Sequence, residues 1–157
     1  MKNSFHPQCC ALCQLEKPLQ ESHLIPKFVS NWLKNTSATG HLRSIENPNR
    51  RVQDGVKDKL LCRDCEQLLS ISEKHFAENV FVKFHQNEII SPDNNIFLHF
   101  IVSISWRLAY YYLNKYPEYY KFFATELRNA IEDWRIFLIN FNHKFIYINH
   151  YLFSVVG

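Results

Sequence analysis

An α+β fold is predicted by three features of the sequence. Two Cys-x-x-Cys pairs, Cys10-Ala-Leu-Cys13 and Cys62-Arg-Asp-Cys65, bracket a segment that includes Glu21-Ser-His-Leu-Ile-Pro26. Two residues between cysteines let both sulfurs reach one ion from a single tight turn, so the four thiols match a tetrahedral zinc site. The second pair leads into a good helix-forming sequence, which places its cysteines at the first turn of a helix. From Phe97 onward, apolar residues recur at the three-and-four spacing of amphipathic helices. The expected architecture is a small zinc-bound treble clef (ββα) over residues 1–85. It joins a mainly α-helical C-terminal half over residues 86–157.

Composition sets the outer limits. The 157 residues are 46% apolar and 15% aromatic with only 3 glycines, enough for a packed core and against disorder. A formal charge of +3 permits nucleic-acid binding without requiring it. The N-terminus, Met1-Lys-Asn-Ser-Phe-His-Pro7, has no apolar run of the kind a signal peptide carries. The stretch nearest to a membrane span, Phe97 to Leu113, is interrupted by His99 and Arg107. Five cysteines, four of them in pairs, read as metal ligands of a cytoplasmic protein rather than as disulfides. Cys9 is the odd thiol; it could replace Cys10 as a ligand, but Cys10 keeps the spacing.

Taken in order, Cys10 to Cys13 forms a knuckle, followed by a polar turn from Gln14 to Leu19. Glu21 to Pro26 is expected as a short strand ending at the proline, because the residue before proline prefers extended geometry. Lys27 to Leu33 gives one or two helical turns, with Phe28, Val29, Trp32 and Leu33 at helical spacing. Asn35 to Gly55 reads as a loop, with turn signals at Asn47-Pro48-Asn49 and Asp54-Gly55. Its Arg43, Arg50 and Arg51, with Lys57 just beyond, form a basic cluster suited to phosphates, or simply a solvated loop. Asp64 to Phe81 is a helix, and Glu88 to Asn95 breaks it. The next helix places Phe97, Phe100, Ile101, Ile104, Leu108 and Tyr111 on its apolar face. Arg107 falls on its polar side, free for the zinc module or a phosphate, or paired with an acid such as Glu126 or Asp133. Pro117 opens a further helix that buries Phe123, Leu127, Ile131, Trp134 and Leu138. Lys144 to Phe153, β-branched and aromatic, reads as a strand. Tyr110, Tyr111, Tyr112, Tyr116, Tyr119 and Tyr120 offer either a stacking surface for bases or packing and a protein interface, including one with a second copy.

The layout of Cys-x-x-Cys, a Glu-Ser-His-Leu-Ile-Pro segment, a loop, and Leu-Cys-x-x-Cys opening a helix resembles the HNH endonucleases of the Cys-x-x-Cys-bearing branch. The resemblance covers about Cys10 to Glu78. It implies a structural zinc on Cys10, Cys13, Cys62 and Cys65, and a DNA-cleaving site in which His23 is the general base. It also implies a catalytic Mg²⁺ or Mn²⁺ held near Glu66, with Glu73 and His75 as further candidates. A histidine suits the role on its own chemistry, since its ordinary pKa lies near neutrality. Its alternative is a histidine that caps a turn. Three positions depart from the family pattern: Ser22 stands where Asp or His is usual, Glu66 where His or Asn is usual, and the middle Asn has no clean match, Lys57 and Asp58 occupying that neighbourhood with Asn47 and Asn49 further upstream. A fuller string that includes Gln53-Asp54-Gly55 and Ser103 to Arg107 resembles a group of bacterial HNH-like proteins, whose own pattern then includes Ser22, Glu66 and Arg107. The family's usual employment suggests bacterial defence. A different class is an inactive zinc module that binds nucleic acid or a protein partner. A third, a Cys-x-x-Cys redox protein, lacks the βαβ context such a motif needs.

Overall fold

In the computed structural model, residues 9–44, 47–90 and 93–141 are described. The strand expected over Lys144 to Phe153 lies outside them. The observed class is α+β, with small antiparallel sheets and a helical C-terminal half.

Strand β1, Leu19–His23, pairs antiparallel with β4, Lys57–Cys62, in a register that sets Leu19 opposite Cys62 and His23 opposite Lys57. A bulge interrupts the ladder between Gln20 and Glu21. Its effect shows on β4, where three successive residues, Leu60, Leu61 and Cys62, are all buried, against the alternation of a regular strand. The Leu60 carbonyl accepts from the Ala11 N–H at 2.9 Å, which ties the knuckle to the sheet.

Helix α1, Lys27–Thr36, follows directly on buried Pro26. Phe28 packs on Phe81 with ring centroids 5.0 Å apart, and Trp32 stacks on His85 at 4.8 Å. The stretch expected as one loop contains a second, minimal hairpin: β2, Leu42–Arg43, against β3, Arg51–Val52. The Asn47-Pro48-Asn49 turn signal closes it, with the Arg50 N–H bonded to the Asn47 carbonyl at 2.9 Å.

Helix α2, Arg63–Phe76, starts at the second cysteine pair with Cys62 as its N-cap and passes into a π-helical turn, Ala77–Phe81. A final short helix, α3, Val82–His85, extends the rod beyond the expected Phe81. Helix α4, Asn94–Lys115, is capped by Asp93, whose carboxylate accepts from the Asn95 and Ile96 N–H groups at 3.0 and 3.2 Å. Pro117 does not open the next helix. It sits in a separate 3₁₀ turn, Pro117–Tyr119, and α5 begins only at Ala124.

The face of α4 turned to the core overlaps only in part with the one the apolar spacing selects: Phe100 and Tyr111 are buried as expected, and Ile104 and Leu108 are half-buried. Phe97 and Ile101 are exposed, whereas His99, Ser103, Trp106 and Arg107 are buried beside Phe100, Val102, Tyr111 and Leu113. The reason is that α4 is apolar nearly all round, so spacing alone does not choose a face, and the polar residues turn inward because partners await them. On α5, Ile131 and Leu138 are buried as expected, Leu127 and Trp134 are half-buried, and Phe123 is exposed ahead of the helix. Helix α4 packs between α2 and α5. By length and a mean hydropathy of 1.2 it is long and apolar enough to cross a membrane, and 44% of that window is buried inside this fold.

Candidate metal centre and histidine site

The knuckle is shaped by its backbone. The Gln14 N–H returns to the Cys10 carbonyl at 2.8 Å, and Gln14 takes a left-handed φ of 59° to let the chain turn away. The second pair is presented by the step from β4 to α2, with Cys62 ending the strand and Cys65 one helical turn on. Together these bring the Sγ atoms of Cys10, Cys13, Cys62 and Cys65 within 4.8 Å of one another.

That spacing fits zinc. A Zn–S bond of about 2.3 Å sets a tetrahedral S···S edge of about 3.8 Å, and Cys13 Sγ lies 3.9 Å from Cys62 Sγ. The same distance is far beyond a disulfide bond, and all five cysteines are free thiols. The Cys62 N–H donates to Cys10 Sγ at 3.3 Å, a bond that favours thiolate. Donation from Cys65, together with this and other backbone N–H groups, holds the Cys10 thiol down to about 4, and Cys65 is raised in turn by its bond to Cys10. Four sulfurs brought this close, one already poised as thiolate, could hold a metal ion, and zinc is the ion their chemistry suits best. Cys10, not Cys9, is the ligand-positioned thiol; Cys9 instead bridges to Glu16 across the knuckle.

His23 ends β1 and is partly exposed. Its Nε2 lies 3.0 Å from Asp54 Oδ2, and the same carboxylate oxygen meets Lys57 Nζ at 2.9 Å. The lysine first, then the histidine, hold the Asp54 carboxyl well below the usual carboxylate range. An ionised carboxylate can only accept, so the ring nitrogen facing it carries the proton and Nδ1 of the neutral ring is left with the lone pair. Gly55 lets the chain pass close to α1: a Cβ there would stand 2.8 Å from Ser30 Oγ, which would have to turn aside.

The backbone of His23 is held as well. Arg107, 3% exposed, donates from Nη1 to the His23 carbonyl at 2.9 Å and from Nη2 to the Glu73 carboxylate. Its Nε donates to the Ser103 carbonyl at 3.3 Å. Arg107 therefore lies on the buried face and not on the expected polar side, and its interhelical ion pair is with half-buried Glu73 on α2 in place of Glu126 or Asp133. Arg135 on α5 makes a parallel tie to the knuckle, donating to the Leu12 carbonyl at 3.0 Å while paired with Glu132.

The remaining candidates fall as follows. Glu66 lies in the first turn of α2, with its Oε1 shielded from solvent and without a hydrogen-bond partner. Glu73 is committed to Arg107, and His75 is half-buried. Among the described residues, the only convergence of three or more metal-capable side chains is the four cysteines, so Glu66, Glu73 and His75 do not assemble an ion site with each other. Arg43, Arg50 and Arg51 are exposed on the small hairpin, with Arg43 directly opposite Arg51, while Lys57 is engaged by Asp54. Tyr111 is buried and Tyr119 exposed; the other four are half-buried, Tyr112 and Tyr116 against each other, Tyr110 on Trp106 and Tyr120 on Phe123. Sequence reasoning gave Asp54 a turn and a place in the resembling string but no partner, and left Glu73 apart from Arg107. The signal that could have found Asp54 is register: pairing His23 with Lys57 puts the acid three residues upstream of Lys57 within reach of the imidazole. No family model, curated protein or solved structure matches the chain.

Proposed function

We propose that the chain is a zinc-organised, HNH-like phosphodiesterase acting on DNA, with His23 as the base that takes a proton from the attacking water. The observation that carries this reading is the 3.0 Å contact between His23 Nε2 and Asp54. A base oriented by a carboxylate, with its second ring nitrogen free to accept, is the arrangement general-base catalysis needs. The water oxygen would bond to phosphorus and its proton would pass to Nδ1, while the bond to the leaving oxygen would break, that oxygen keeping the bonding pair and taking a proton from solvent. Arg43, Arg50 and Arg51, exposed beside the strand that leads to Asp54, suit the backbone charge of the substrate. Glu66, Glu73 and His75 do not fit a Mg²⁺ or Mn²⁺ site by themselves, and no step is assigned to such an ion.

The test is plasmid nicking by wild type and His23→Ala, with and without Mg²⁺ or Mn²⁺, zinc content being measured in both proteins. Cleavage lost in the zinc-loaded variant is the expected result; cleavage at the wild-type rate would sink the reading. A second reading, a non-catalytic zinc module that binds nucleic acid or a protein through its aromatic helices, is favoured by one observation. Lys57 already neutralises the carboxylate that faces His23. It gains if neither protein cuts and the wild type nevertheless binds DNA or a partner.

A further inference from the structure

We propose that Arg107 is a positioning residue for His23, an inference that rests on the hydrolytic reading of that site. The guanidinium is almost wholly removed from water, which is costly unless every donor is matched. Here the matches are complete enough to fix it: the Ser103 carbonyl and hydroxyl at 3.3 and 3.4 Å, the Glu73 carboxylate, and the His23 carbonyl at 2.9 Å. Three of these acceptors lie on helices α2 and α4, which are packed together. The fourth lies on the residue that ends β1.

An apolar pair of similar volume would satisfy packing at this place between the helices as well as, or better than, a buried ion pair. What only the planar, forked guanidinium supplies is a rigid link from two helices to the carbonyl of His23. The His23–Leu24 peptide is held on its N–H side by the Val56 carbonyl at 3.0 Å. Arg107 holds its oxygen, and without that second hold the peptide can tilt and carry the imidazole away from Asp54. With the carbonyl held by Arg107 and Nε2 held by Asp54, the ring is fixed at both ends and Nδ1 points in one direction. Arg107 thus acts through His23 and does not touch the substrate.

The experiment compares three full-length, zinc-loaded variants with wild type: Arg107→Gln, Arg107→Lys, and the double change Arg107→Met with Glu73→Leu. The double variant removes both partners of the ion pair together, so it keeps a folded protein in hand if the single change leaves half-buried Glu73 uncompensated. Zinc content and helical circular dichroism verify the fold, nicking gives the rate, and the His23 ring-nitrogen NMR signals report its tautomer and its bond to Asp54. The expected result is a loss of nicking of about 100-fold in Arg107→Gln and in the double variant, the scale of a misplacement near 1 Å. Partial recovery in Arg107→Lys and a mixed-tautomer His23 signal wherever the fork is lost should accompany it. Zinc-loaded variants that nick at the wild-type rate with wild-type His23 signals overturn the inference while leaving the hydrolytic reading intact. If wild type itself does not nick, that reading fails separately, and the His23 signals alone decide whether Arg107 positions the ring.

Discussion

Asp54 accepts from Lys57 and His23 through one oxygen and receives the Gly55 N–H on the other at 2.9 Å. Because its carboxyl is depressed, the stabilisation it gives is fully present above the unfolded value of about 3.9 and is lost as pH falls through the lower folded value. Asp54→Asn should therefore lower the urea-unfolding free energy by about 1 kcal/mol at neutral pH, a modest effect because the group is partly exposed. The gap from wild type should narrow only below about pH 4; a gap that instead widens on acidification would contradict the assignment. The two cysteine pairs and His23 were legible at this scale because spacing and ordinary pKa are properties of the sequence. Asp54 and Glu73 were not, since their partners are 31 and 34 residues away and only a register or a helix packing brings them close.

The elements divide in the same way. The existence of α4 was legible from its apolar spacing, but the helix starts at Asn94, inside the stretch expected as a break, because Asp93 caps it, and it runs on to Lys115. Its buried face was not legible, since an all-round apolar helix offers no contrast, and the choice is made by Glu73, Ser72 and the His23 carbonyl waiting on neighbouring elements. The small hairpin of β2 and β3 was missed because strands of two residues carry too little pattern to register. The cap makes a clean prediction: Asp93→Ala should cost about 1 kcal/mol in chemical denaturation. It should leave zinc content and nicking unchanged, because the cap lies outside both sites. Loss of zinc in that variant would show that α4 and the metal centre are more tightly coupled than their contacts imply.

For the molecule as a whole, the four-cysteine centre and the helical half share one core, in which Cys10, Leu12, Leu61, Cys62 and Cys65 cluster with Trp106, Ile131 and Leu138. A structural zinc contributes roughly 10–16 kcal/mol, and a domain's whole stability is about 5–15 kcal/mol. Chelating the metal should therefore unfold the C-terminal helices along with the knuckle, seen as loss of most helical circular dichroism at neutral pH. Helices that persist after metal removal would show that the C-terminal half stands alone. The tie between Arg135 and the Leu12 carbonyl, 123 residues apart, also has a consequence in time. At a synthesis rate of 5–20 residues per second, Arg135 is made roughly 4–14 s after Cys65 has completed the ligand set. Metal can be captured early in that interval, while the knuckle still lacks its last backbone partner, so a nascent chain would hold its ion more loosely than the finished one.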